Sequence, residues 1–348
     1  MTRVPNIIVG AGPIGIELAA AFKLLGVDYV HLEAKQIGHT IDWFPRQVRF
    51  FSGPDRIAIA GMPLVTADQE KASREQYLAY LRSVVTRYEL DIRTFEPVST
   101  IERDADGIHV RALRSGRVRH YCCDRLVLAT GDMNRPRRLD IPGENLPQVS
   151  HYFDDPHRYF RQRLLIVGGR NSAVEAAIRC QRTGADVTIS YRRDWFDEQS
   201  VKYWLSPEIR MLIKTKRIAF HPQTVPVAIT AEHVDLAPVE GGATTRVEAD
   251  FVLLLVGYEM DPVLLKMAGV ELKGENGAPA FDASTMETNV PGVYVAGTVA
   301  AGTQVRFRLF IENCHAHVGK IVKAVTGREA PFEAEDRTHS GRYALPES

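Results

Sequence analysis

The feature that most restricts this chain is Gly10-Ala11-Gly12-Pro13-Ile14-Gly15. It lies between an apolar run, Asn6 to Val9, and a helical pattern that sets Ile14, Leu18, Phe22 and Leu25 on one face. Three glycines between a strand and a helix divide the labour of one task. The first permits a tight turn, the second lets backbone approach a pyrophosphate, and the third lets the helix pack on the strand. The helix start at Pro13 adds unpaired N–H groups and a positive dipole end, both of which attract phosphate. Gly26 stops the helix, Tyr29 to Leu32 reads as a second strand, and Glu33 closes it 18 residues after Gly15. An acid there, with Ala34 beside it, accepts hydrogen bonds from an adenosine ribose. The first segment therefore reads as a βαβ unit for a dinucleotide.

The same syntax returns downstream. Arg163 to Val167 is strand-like, Gly168-Gly169-Arg170-Asn171-Ser172-Ala173 is the turn, a helix is predicted to Thr183, and Val187 to Ser190 is the next strand. Arg170 fills the slot of the middle glycine and Ala173 that of the last. Asn171 and Ser172 are expected to cap the helix and donate to phosphate. The second strand ends in Tyr191-Arg192-Arg193 rather than an acid. Guanidinium forks match a 2′-phosphate, so NADPH is favoured over NADH. Between the two units, Ala129-Thr130-Gly131 follows the strand Arg125 to Leu128, and Ile141-Pro142-Gly143-Glu144 offers a linker. Ala249 to Val256 is a further buried strand, and Asp261-Pro262 marks a second crossing. Val290 to Gly297 gives a turn, strand and glycine ahead of a helix from Phe310 to Val325. The fold class is α/β, with two nucleotide-type units in 348 residues, a length suited to two domains.

Composition excludes other classes. Lys+Arg 43 balances Asp+Glu 43, so no net field draws the chain to nucleic acid or anionic lipid. No apolar run approaches the roughly 20 residues of a membrane span, and no signal peptide opens the chain, so a cytoplasmic location is expected. Cys122, Cys123, Cys180 and Cys314 form no Cys-x-x-Cys pair. His315 and His317 are two apart on a helix, where a metal pair would need a spacing of about four. No metal site is expected.

Two glycine turns, an Ala-Thr-Gly and a late Val-Ala-Gly resemble the two-dinucleotide-fold flavoprotein reductases, of which low-molecular-weight thioredoxin reductase is the smallest. A closer resemblance, to the bacillithiol disulfide reductases, is carried by Gly168 to Glu175, Val149-Ser-His-Tyr-Phe153, Phe50-Phe51-Ser52, Ala296 to Gly302 and Phe310-Ile-Glu-Asn313. Thr298 stands where thioredoxin reductases carry an aspartate for the ribityl chain of the flavin. The resemblance implies Rossmann-like domains, with an NADPH domain over 145–260 inserted into an FAD domain over 1–144 and 261–330, and a loose tail over 331–348. It implies FAD on Gly10, Gly12, Pro13, Ile14, Gly15, Glu33, Ala34, Phe51, Thr130, Gly131, Gly297, Thr298, Phe310 and Ile311. NADPH falls to Gly168, Gly169, Arg170, Asn171, Ser172, Arg192 and Arg193. It also implies an oxidoreductase acting on a small disulfide or small redox protein, often as a homodimer or higher homo-oligomer.

One residue departs from that pattern. The bacillithiol group carries a cysteine inside the first turn where this chain has Ile14, which forms no mixed disulfide. Cys314, near the start of the last helix, is the remaining candidate for a redox thiol, against ordinary packing. A ferredoxin or flavodoxin NADP reductase, which needs no cysteine, and a flavin-binding sensor without turnover stand as alternatives.

Overall fold

The computed structural model describes residues 1–197, 201–304 and 308–332. Two compact units divide it. The first joins Met1–Asp42 and Gln47–Arg135 to the chain from Tyr258 onward; the second is Trp43–Arg46 with Pro136–Gly257. The division thus falls at residues 135 and 258, against the sequence expectation of 144 and 260. Residues 136–146 pack within the second unit: Leu139, Ile141 and Leu146 lie on Leu165, Val234, Leu236 and Val252. A Cβ on Gly143 would stand 1.9 Å from the Ile229 carbonyl oxygen, so the chain there is pressed onto that unit. Most of the expected tail, 333–348, lies outside the described residues.

The first unit is built on β1 (Thr2–Val9), α1 (Pro13–Leu24) and β2 (Val30–Leu32). Strand β1 pairs in parallel with β2 on one side and with the long β6 (Arg117–Leu128) on the other. Two short helices, α2 (His39–Asp42) and α3 (Pro54–Ile57), precede α4 (Arg74–Arg87). A capping box starts α4: Gln76 N–H donates to Ser73 Oγ at 3.2 Å, and Ser73 N–H to Gln76 Oε1 at 2.8 Å. Strand β3 (Ile92–Arg93) extends the sheet beyond β2, while β4 (Val98–Asp104) and β5 (Gly107–Arg114) form an antiparallel hairpin against β6. The core lies between α1 and the sheet, where Ile7, Ile8, Ile16, Leu18, Phe22 and Leu126 are fully buried.

Strand β7 (Arg135–Pro136) carries the chain out of this unit and pairs with β16 (Tyr258–Glu259), which carries it back. Between them, β8 (Val149–Ser150), β9 (Arg163–Val167), β10 (Asp186–Tyr191), β11 (Ala219–Pro222) and β15 (Phe251–Leu254) form a second sheet, with α5 (Asn171–Arg182) joining β9 to β10 and α6 (Ser206–Lys214) lying between β10 and β11 in the chain. Its order is β11-β10-β9-β15-β8, parallel throughout. A separate antiparallel sheet, β12 (Thr224–Ile229), β13 (His233–Pro238) and β14 (Thr245–Glu248), accompanies it. After the return come α7 (Val263–Met267), the pair β17 (Leu272–Lys273) and β18 (Ala278–Pro279), and β19 (Val293–Val295). Strand β19 pairs in parallel with the end of β6. Helix α8 (Ile311–Thr326) closes the described chain, packs along α1, and ends at Gly327 with φ +71°, a left-handed cap.

Candidate functional site

In the first unit β1, β6 and β19 run parallel and end side by side at Val9, Leu128 and Val295. Gly10, Thr130-Gly131 and Gly297-Thr298 therefore leave the sheet along one carboxyl edge, where open α/β sheets bind ligands. The three turn glycines divide as their spacing predicts. Gly10 has φ +104°, and a Cβ there would lie 2.4 Å from the Ala129 carbonyl oxygen. A Cβ on Gly15 would stand 2.0 Å from the Gly10 carbonyl oxygen, so helix and strand close up only on glycine. At Gly12 an added Cβ meets nothing within 4 Å. That open space sits at the N-terminus of α1, and a pyrophosphate fits it.

Side chains brace this edge. Glu33 Oε2 accepts from the Ala11 N–H at 2.6 Å and Oε1 from the Lys35 N–H at 2.8 Å, which leaves each oxygen a further lone pair for a ribose hydroxyl. His31, fully buried on β2, pairs through Nε2 with the Gly10 carbonyl at 2.9 Å; since that partner can only accept, Nε2 carries the proton. Burial pushes its pKa down to about 4 against a lesser upward pull from that bond, so the ring is neutral at pH 7. On the opposite rim Gly297 donates its N–H to His317 Nδ1 at 3.1 Å. Burial first, then Lys320 and His315, lowers His317 to about 4. Sequence reasoning missed both histidines as braces, because their partners are backbone atoms 20 or more residues away and leave no local pattern.

Ile14 is 6% exposed, and a Cβ on Gly297 would approach its Cβ to 3.5 Å. The position that bears a thiol in the resembled family is thus apolar and enclosed. Gly131 faces Thr298, whose Oγ1 would lie 3.8 Å from an added Cβ. At the start of α8, Phe310 donates its N–H to Asn313 Oδ1 at 2.8 Å, and Ile311 is the first helical residue. Ala34 is exposed beside Glu33. Phe51 is half-buried with the Lys71 ammonium 5.0 Å from its ring centre.

The second turn joins β9 to α5. A Cβ on Gly168, with φ +143°, would meet the Leu255 carbonyl oxygen at 2.4 Å, and one on Gly169 would run into the Tyr191 ring at 2.5 Å. Arg170 is the N-cap, in extended geometry at φ −113°, with no side-chain capping bond. That corrects the expectation for Asn171. It is already the first helical residue, and its Oδ1 accepts the Lys202 N–H at 2.6 Å instead; Ser172 is exposed. Burial lowers the Arg170 pKa; Tyr191 and Asp197 oppose the fall, while Arg192 and Arg193 add to it by repulsion. Arg170 caps α5, and Arg192 and Arg193 follow the end of β10, near enough for their charges to act on Arg170; Arg193 lies 3.8 Å from Asp197. The cluster suits a phosphate.

All four cysteines are free and buried. Cys314 takes the packing alternative over the redox one. It is fully enclosed, and burial, with Asp132 and Glu17 adding to it, pushes its thiol far above the usual range, so no thiolate is available there. Cys123 and Cys180 are each pushed up to about 12, chiefly by burial. Among the described residues there is no group of three His, Cys, Asp or Glu that could hold a metal, and no helix long and apolar enough to cross a membrane.

A family model for pyridine nucleotide-disulphide oxidoreductases matches residues 7–297, and the chain belongs to that family. It is accordingly an FAD-dependent NADPH oxidoreductase with the thioredoxin reductase-like fold. Within the family it is similar to bacilliredoxin reductase Bdr of Bacillus subtilis (strain 168), 34% identical over 330 residues that cover 94% of this chain and 99% of that one. The solved bacillithiol disulfide reductase Bdr of Bacillus cereus superposes with a TM-score of 0.89 at 32% identity, covering 94% of this chain and all of that one. A ferredoxin–NADP reductase of Ignicoccus hospitalis is 29% identical over 303 residues, 84% of this chain and 89% of its own.

Proposed function

We propose that this chain reduces a small disulfide, free or carried on a small redox protein, with NADPH in the cytoplasm. The observation that carries the reading is the repeated glycine turn, once with open space at Gly12 and an acid at Glu33, once with Arg170 at the helix cap and Arg192-Arg193 after the next strand. When bound, FAD supplies two-electron transfer, so that NADPH and one proton convert a disulfide to two thiols. The first unit holds FAD on Gly10, Gly12, Pro13, Ile14 and Gly15, with Glu33 on its ribose. Thr130, Gly131, Gly297 and Thr298 line the carboxyl edge, and the N-terminus of α8 at Phe310 and Ile311 offers amide donors to negative charge. The second unit holds NADPH on Gly168, Gly169 and the three arginines.

No thiol of the chain enters the reaction. Every cysteine is buried, and Ile14 fills the place of the expected one, so electrons leave without a mixed disulfide on the protein. The same fact favours a second reading, a ferredoxin or flavodoxin NADP reductase, in which no bond to sulfur is made.

Stopped-flow mixing with NADPH tests the reading. Bleaching of the flavin band within seconds supports it; a band that does not bleach leaves a non-catalytic flavin protein. Steady-state NADPH oxidation against bacillithiol disulfide, other low-molecular-weight disulfides and ferredoxin then separates the two acceptors. Cys314→Ser is expected to turn over disulfide within about twofold of wild type, and a collapse of turnover with the fold intact would refute the thiol-free route.

A further inference from the structure

Asp132 follows Gly131 just past the end of β6 and is 6% exposed. Its Oδ2 accepts from Gln304 Nε2 at 2.8 Å, and Thr298, just past β19, faces the preceding Gly131, its Oγ1 3.8 Å from where a Cβ there would lie. The Gln304 partner is neutral, and among the described residues no ion pair reaches the Asp132 carboxyl. Burial raises its pKa, with Thr298 and Gln304 opposing the rise, and the Cys314 thiol in the first turn of α8 feels its charge. A carboxylate enclosed without a cation is costly unless several donors satisfy it. Among the described residues one side-chain donor, Gln304 Nε2, reaches it at hydrogen-bond distance.

The place of this carboxylate points to the missing donors. It follows Thr130-Gly131 just past the end of β6, and Gly131 faces Thr298 just past the end of β19, on the edge that also carries the Gly10 turn. A polyhydroxyl chain running along that edge presents hydroxyl donors to it. We propose that Asp132 is a flavin-binding residue, the acceptor for hydroxyls of the sugar-alcohol chain of FAD. This rests on the assignment of FAD to the first unit. The residue also ties the sugar site to the entrance of α8. Gln304, which donates to Asp132, accepts from the Arg308 N–H at 2.8 Å and the Leu309 N–H at 2.9 Å, and donates to the Leu309 carbonyl at 3.0 Å.

The test compares wild type, Asp132→Asn and Gln304→Ala as apoproteins, by FAD titration with flavin fluorescence and by thermal melting without FAD. Loss of charge-assisted hydrogen bonds should raise the FAD Kd of Asp132→Asn about tenfold to a hundredfold. Its ligand-free melting temperature should hold or rise, because a buried charge has gone. Gln304→Ala, which removes only the tether, should bind FAD within about threefold of wild type. An unchanged Kd in Asp132→Asn overturns the proposal. So does a lowered melting temperature in that variant, or an equal loss of affinity in Gln304→Ala, since either makes the carboxyl a brace for the loop. If wild-type apoprotein takes up no FAD, the functional reading itself falls; if it does and Asp132→Asn is indistinguishable, only the role of Asp132 falls.

Discussion

Gly12→Ala and Gly15→Ala add the same methyl three residues apart, and the structure assigns them opposite consequences. At Gly12 the added Cβ meets nothing within 4 Å, and the backbone, at φ −76° and ψ −180°, suits any L-residue. The gain from a stiffer unfolded chain, about 0.4 to 1 kcal/mol, is opposed by the poorer N-cap, also about 0.5 kcal/mol or more. The ligand-free protein should therefore melt within a few degrees of wild type. The methyl does occupy the space a pyrophosphate needs. One lost hydrogen bond to a charged phosphate, at roughly 1.5 to 3 kcal/mol, weakens FAD binding about tenfold to 140-fold. At Gly15 the Cβ would stand 2.0 Å from the Gly10 carbonyl oxygen, so α1 would have to retreat by about 1 Å. That helix is buried from Ile14 to Phe22, and the retreat should cost about 3 kcal/mol or more, with or without cofactor. Apoprotein melting by circular dichroism and FAD titration read the two effects separately. Wild-type FAD affinity in Gly12→Ala, or wild-type melting in Gly15→Ala, would refute the division of roles.

Two further outcomes follow from the same geometry. Replacing Arg192 and Arg193 together by Ala should raise the KM for NADPH at least tenfold and leave that for NADH nearly unchanged, since only a 2′-phosphate engages them; an unaltered ratio of kcat/KM values for the two coenzymes refutes the assignment. His31 and His317, each held near 4 in the fold against 6.5 unfolded, bind protons more readily when unfolded, so stability falls as pH drops from 6.5 to 4. Each contributes about 3 kcal/mol over that window, and His31→Gln with His317→Gln should flatten the melting temperature against pH; an unchanged slope would show that other groups carry it.

How much of this was legible in the sequence depends on the distance over which each signal acts. The glycine turns, Glu33 and the Tyr191-Arg192-Arg193 run were readable because each role is fixed within one βαβ unit by spacing. The chain crossing was readable only to within about ten residues, because Leu139 and Ile141 look like linker until their packing partners on β13 and β15 are known. Asn171 was misassigned because Arg170 takes the cap and Lys202, 31 residues on, takes the amide oxygen. Asp132, His31 and His317 carried no signal, since a lone acid or histidine acquires meaning only from strands and helices brought in from elsewhere in the chain.

The enclosure of every sulfhydryl has a practical corollary. Iodoacetamide, peroxide and mercurials should find no reactive thiol on the folded protein, so catalysis would persist under oxidative assault that silences enzymes relying on an exposed thiolate.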